Sequence, residues 1–279
     1  MSTSGFILAL VAALGLFGGF FWLLRRAPWR GPRPRYPIVL IKGLFGFDEI
    51  KLGDCHATYF RGLDEHLGAL GIEVHQLSGP AVASIRERGQ VLAQKLEALP
   101  CRKVNLIAHS MGGLDARYAI ACLGQHRKVR SLVTIGTPHH GTELADLVSG
   151  LLALPIGLRT VFDKLGLPPG AFDDLSCPSL EVFNKNTPDH WRVFYGCVLG
   201  RTPPQGGGNK LLAPTNQYLK QKAGDNDGVV SLRSQRWGQV LEEVDLDHWA
   251  QIGWGQSAES MGINRLYERI ALGLRQRGC

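Results

Sequence analysis

Ser110 is the residue with the clearest chemical context. It stands in Ala108-His109-Ser110-Met111-Gly112-Gly113, which fits the G-x-S-x-G pattern with Ala in the first position. A serine hydroxyl becomes a useful nucleophile when a nearby base takes its proton. It must also project from a sharp strand-to-helix turn, so its neighbours have to be small. The flanking sequence supplies that setting. Residues 103–110 (KVNLIAHS) read as a buried strand and residues 111–124 (MGGLDARYAIACLG) as a helix. The spacing therefore points to nucleophilic chemistry at Ser110 rather than to a chance Ser-Gly turn.

The elements that must hold such a turn follow an alternating pattern. Residues 37–43 and 72–78 are short β-branched runs, and residues 59–71 between them have helical spacing with a Gly stop. Residues 84–100 form an amphipathic helix with a Ser cap and a Pro stop. A further strand is predicted over 129–138 and another over 191–200, with a packing helix near the C-terminus. This βαβα order predicts a mostly parallel sheet with helices on both faces. Residues 139–176 hold apolar helical pieces broken by Pro and Gly and read as a cap or lid, whose apolar stretch 142–168 would form the entrance.

The 279 residues suit one domain with an appendage. Residues 5–24 carry no charge, and as a helix they would span roughly 30 Å, the thickness of a bilayer core. The preceding MSTS lacks a basic residue and the following FWLLRR is a poor cleavage site, so 1–24 reads as an uncleaved transmembrane anchor rather than a signal peptide. Residues 25–36 read as a basic Pro/Arg linker suited to anionic headgroups, and 37–279 as the main domain. The Arg cluster after the span places that domain on the cytoplasmic side.

The charge is unevenly placed. Of the 31 basic residues behind the net charge of +7, five Arg fall in residues 1–35 with no acid, leaving 26 basic against 24 acidic in the body. No basic stripe with interleaved aromatics occurs there, so nucleic acid is not an expected partner. The six Cys have no metal-ligand spacing and read as buried free thiols.

Four stretches resemble bacterial triacylglycerol lipases of the Pseudomonas/Burkholderia type: YPIVLIKGLFGFD (36–48), VNLIAHSMGGLDARY (104–118), LVTIGTPHHGTELAD (132–146), and NDGVVSLRSQRWGQVL followed by DLDHW (226–249). The resemblance implies an α/β-hydrolase fold, here preceded by one transmembrane helix. In that fold the triad order is Ser, acid, His. Beyond residue 150 the His are His190, which reads as a loop residue, and His248, which follows an apparent strand and precedes the last helix. His248 is the expected base. Asp227, in an Asp-Gly turn, is the best candidate for the acid, and the resemblance puts the acid there. Asp225, Asp245 and Asp247 are alternatives. Asp247 is the weaker orienter, because neighbouring side chains in an extended segment point apart. The expected oxyanion donors are the backbone N–H groups of Met111 and, by resemblance, Leu44.

Two departures stand out. Lys42 replaces the His usual in those lipases. It reads as a solvated loop lysine, with two alternatives: holding the oxyanion loop as that His does, or binding an anionic substrate group such as a phosphate. The family's calcium-binding Asp, two residues after the catalytic His, is replaced by Ala250, so no calcium is expected. His139 and His140 read as loop-structuring residues, so no metal or other cofactor is expected. The function implied is a membrane-anchored serine ester hydrolase acting on lipid-like esters. An acyltransferase or thioesterase using the same triad is one alternative, and a non-catalytic scaffold is another.

Overall fold

The computed structural model describes residues 31–44, 50–52, 55–146, 172–204, 207–255 and 262–279. The expected anchor at 1–24, the first part of the linker, and residues 147–171 of the expected cap lie outside the described residues. Among the described residues no helix is long and apolar enough to cross a membrane.

Six parallel strands form the central sheet in the order β4-β1-β5-β6-β7-β8. They are β1 (Ile38–Ile41), β4 (Val74–Leu77), β5 (Val104–His109), β6 (Val129–Ile135), β7 (Phe194–Gly200) and β8 (Gln239–Val244). A small antiparallel pair, β2 (Ile50–Leu52) and β3 (Cys55–Ala57), had no clear sequence signal. Parallel strands need crossovers and both faces covered, which is why β1 and β5 are buried at every position.

Strand alternation sends neighbouring residues to opposite cores. Ile38, Leu40 and Ile107 pack with helices α1 (Leu63–Ala69) and α7 (Ile263–Gln276) on one face. Val39, Ile41, Leu106 and Ala108 pack with α2 (Ile85–Ala98) and α3 (Gly112–Cys122) on the other. Ser84 caps α2 in a reciprocal capping box with Glu87. Three further helices were not signalled by the sequence: α4 (Cys177–Asn186), α5 (Ala213–Ala223) and the short α6 (Leu232–Gln235).

The chain reverses direction across the sheet between β1 and β5. It runs outward from β1 to edge strand β4, then returns to the other side of β1 as β5. The crevice beyond the carboxyl ends of strands at such a switch point is the favoured place for a site in an open α/β sheet. Gly43 follows β1 there, and Ser110 follows β5.

The last part of the linker packs on the domain: Pro32 and Pro34 are buried, the Arg35 N–H donates to the Cys279 carbonyl at 2.6 Å, and Arg275 reaches the Gly31 carbonyl at 2.8 Å. One expectation needs correction. The thiols are not all buried. Cys122 is exposed, because it ends α3 on the side away from the sheet, whereas Cys197 and Cys279 are buried.

Candidate active site

Ser110 has φ +56°, and among the described residues no other non-glycine has a positive φ. A side chain in this left-handed region is unfavourable and needs support from its surroundings. That support is close at hand. The Ser110 N–H donates to the Ile135 carbonyl at 2.9 Å, and its own carbonyl accepts from Thr137 Oγ1 at 2.7 Å and from the Gly113 N–H at 3.1 Å. The small neighbours are sterically required. A Cβ on Gly43 would lie 2.7 Å from the Ser110 Cβ, and one on Gly113 would lie 2.3 Å from Thr137 Oγ1.

The structure brings Ser110, His248 and Asp227 together. Ser110 Oγ lies 3.0 Å from His248 Nε2, and His248 Nδ1 lies 2.8 Å from Asp227 Oδ2. A carboxylate only accepts, so Nδ1 carries the proton and Nε2 offers its lone pair to the serine hydroxyl. Asp227 is buried and held from every side. Its Oδ1 accepts from the N–H groups of Val229 and Val230, and its Oδ2 also accepts from Gln251 Nε2 at 3.0 Å. The other acids face elsewhere. Asp225 pairs with Lys220, and Asp245 pairs with Arg201 at 2.6 Å. Asp247 accepts from Asn209, Trp249 and Ala250 backbone N–H groups.

A family model for a PGAP1-like alpha/beta domain matches residues 82–150, the stretch containing Ser110. The chain is 34% identical to triacylglycerol lipase 2 of Saccharomyces cerevisiae, over 79% of this chain and 81% of that one. It is 30% identical to a triacylglycerol lipase of Pseudomonas fragi, over 88% of this chain and 97% of that one. The chain belongs to the triacylglycerol lipase family. The crystal structure of the mature Bacillus licheniformis lipase BlEst2 superposes with a TM-score of 0.65 at 26% identity, over 82% of this chain and 90% of that one. As a lipase-family protein it is a carboxylic-ester hydrolase.

Several residues around Ser110 were not singled out by sequence reasoning. Arg88 is fully buried and pairs with buried Asp115 at 2.8 Å. Its guanidinium also donates to the carbonyls of Pro80, Lys42 (3.2 Å) and Gly43 (3.0 Å). Burial pushes the Asp115 carboxyl up, and the facing Arg88 opposes that shift. A trans peptide sets C=O and N–H in opposite directions. Holding the Gly43 carbonyl on Arg88 therefore aims the Leu44 N–H away from Arg88. The sequence signal was present, because Arg88 falls on the same face of α2 as Ile85, Leu92 and Leu96.

A second buried chain joins the loops that carry Gly43 and His248. The Gly43 N–H donates to Tyr59 Oη at 3.1 Å, and Tyr59 Oη lies 2.8 Å from His109 Nδ1. His109 Nε2 lies 3.0 Å from the His248 carbonyl, which accepts only, so Nε2 holds the proton and Nδ1 accepts from the phenol. Burial, and then the nearby His248, hold the His109 imidazole well below its ordinary value, so it stays neutral. Burial raises the Tyr59 phenol, keeping it a donor. Tyr59→Phe strands both buried partners, which costs about 1–3 kcal/mol of stability. With ester substrates we expect kcat to fall and KM to change little. A folded variant with unchanged kcat would show that the bridge does not position the loops.

Lys42 departs from expectation. It is only 3% exposed rather than solvated, because the segment leaving β1 packs beneath Gly112 and Arg88. His190 does lie in a loop, stacked on His126 with centroids 4.0 Å apart. His139 is buried against Thr134 Oγ1 (3.0 Å), and the His140 N–H donates to Ser234 Oγ at 3.1 Å. Among the described residues one metal-capable group comes together, Glu73, His75 and Cys101, at the amino end of the sheet and away from Ser110.

Proposed function

We propose that this lipase-family protein is a membrane-anchored serine hydrolase that cleaves lipid-like carboxylic esters through an acyl-enzyme. The supporting observation is the continuous hydrogen-bond path from Ser110 through His248 to Asp227, ending on a strained serine.

Ser110 Oγ attacks the ester carbonyl carbon while His248 Nε2 takes the hydroxyl proton, and Asp227 stabilises the imidazolium and holds its tautomer. The negative charge forming on the carbonyl oxygen is met by the backbone N–H groups of Leu44 and Met111. Collapse of the tetrahedral intermediate breaks the ester C–O bond, and His248 returns the proton to the leaving alkoxide. Water then attacks the acyl-enzyme by the same route, releasing the carboxylic acid and restoring Ser110. No metal or organic cofactor enters this scheme.

In this reading residues 1–24 anchor the chain, 25–36 link it, and 37–279 form the catalytic domain, on the cytoplasmic side. Residues 139–176 serve as the cap. The triacylglycerol lipase relatives support a lipid ester as substrate. The test is a panel of p-nitrophenyl esters of increasing acyl length, run beside triglyceride and phospholipid emulsions, with fluorophosphonate labelling of the folded chain. We expect hydrolysis of the longer esters and a single adduct on Ser110. Absence of labelling in folded protein would favour a non-catalytic scaffold.

A further inference from the structure

In a parallel sheet every strand starts at the same end. Here four of the six strands start just after cations: Arg35 before β1, Arg102 and Lys103 before β5, Arg127 before β6, and Arg192 before β7. Arg130, the second residue of β6, points outward at that end. These side chains converge. Lys103 donates to the Arg127 carbonyl, and Arg130 donates to the Arg192 carbonyl at 3.2 Å. Partial burial, and then the guanidiniums of Arg102, Arg130 and Arg192, push the Lys103 ammonium down.

Some surface cations elsewhere meet carboxylates, as Arg201, Arg233 and Arg269 do. Among the described residues no ion pair is formed by Arg102, Lys103, Arg127, Arg130 or Arg192. The acids nearby bond other groups: Asp189 accepts from the Trp237 indole, Glu97 from Gln125, and Glu73 lies against His75. The body as a whole holds 26 basic and 24 acidic residues, so the patch is a polarised arrangement and not a general excess. A concavity of about 390 Å³ opens on it, and its charged lining is three cations, Arg102, Arg127 and Lys128, against one acid, Glu97. Trp191 stands beside it, 80% exposed.

We propose that this amino end of the sheet is an electrostatic footprint for anionic phospholipid headgroups, so that the Ser110 cleft opens on the side away from the bilayer the protein rests on. Clustered cations gain from the negative surface of a lipid leaflet, and Trp favours the headgroup level. The sequence singles out lipid over another polyanion. The 20 uncharged residues 5–24 and the Arg-rich segment after them lead into β1 at this same end, where Arg33 and Arg35 are exposed. A strand of six residues such as β5 spans about 20 Å, which separates the footprint from the cleft. Ester substrate then arrives from the aqueous side. The choice of lipid rests on reading 5–24 as an anchor, and is independent of the catalytic assignment.

The test is hydrogen exchange on the full chain in nanodiscs of phosphatidylcholine, with and without phosphatidylglycerol. We expect peptides covering 101–103, 126–130 and 190–193 to gain protection only in the anionic discs, and to lose it in about 1 M salt, where the screening length falls to about 3 Å. The triple variant Arg102→Glu, Arg130→Glu, Arg192→Glu should lose that protection and keep full hydrolysis of a soluble p-nitrophenyl ester. Protection centred on the loops carrying Ser110 and His248 overturns the proposal. So does equal protection in neutral discs, or protection by a soluble polyanion such as polyuridylate with none from phosphatidylglycerol. A chain that fails to co-elute with discs refutes the anchor alone. The footprint is then read by sedimentation with phosphatidylglycerol vesicles, where binding supports it and absence of binding overturns it.

Discussion

Replacing Ser110 with Ala is expected to lower kcat for ester hydrolysis on the order of 10⁴- to 10⁶-fold, the scale expected when a triad member is lost. The substitution removes one oxygen from a position braced by Ile135, Thr137 and Gly113 through the backbone, so the fold should survive. Ala at φ +56° meets the same backbone restriction that Ser does, so no new strain is added. Residual activity would come from the backbone N–H donors and from substrate binding. The measurement is kcat and KM on a p-nitrophenyl ester, with circular dichroism to check folding and fluorophosphonate to check labelling. Full activity in the Ala variant would remove Ser110 from the chemistry. His248→Ala should resemble it closely, because the two side chains act as one unit and their losses do not add.

The largest expected loss of stability lies one layer further in. Arg88→Met leaves Asp115 buried without its partner, and it frees the carbonyls of Pro80, Lys42 and Gly43. Breaking a buried pair in this way costs about 3–5 kcal/mol. Asp115 is poorly placed to adapt, because its Oδ1 already lacks a hydrogen-bond partner. The double variant Arg88→Met, Asp115→Leu should recover much of that stability, since no uncompensated charge remains. It should not recover kcat, because nothing then holds the Gly43 carbonyl and, through it, the direction of the Leu44 N–H. Urea unfolding and kcat measured on both variants separate the two effects. Recovery of kcat in the double variant would show that Arg88 acts on stability alone. Arg88→Lys is not a conservative control, because an ammonium cannot reach this fan of acceptors at once.

Much of the site can be read along the chain because its parts are local. The elbow is six consecutive residues with a strand before it and a helix after it, and the parallel sheet follows from the alternation of short β-branched runs with amphipathic helices. Asp227 was separable from Asp225, Asp245 and Asp247 in part by the resemblance to lipases and in part by strand geometry. The structure leaves the other three bound to Lys220, Arg201 and backbone N–H groups. Lys42 shows the opposite case. A lone charge in a Gly-containing loop reads as solvated, and its burial depends on Gly112 and Arg88 arriving from distant segments.

What the sequence determined by itself was the identity of the chemical groups and the periodicities that send Val39 to one core and Leu40 to the other. What only the tertiary structure decided was which distant groups meet. Gly43, Tyr59, His109 and His248 form one buried hydrogen-bond path across 205 positions of chain. Arg88 crosses from a helix to the loop after β1, and cations from four separate loops share one end of the sheet. The physical reason is that a hydrogen bond or a field between charges depends on distance in space, while sequence spacing reports only separation along the chain. Ser110 could be found from its neighbours; the residues that brace and orient its surroundings could be found only once β1, β5 and the loop to His248 had been packed side by side.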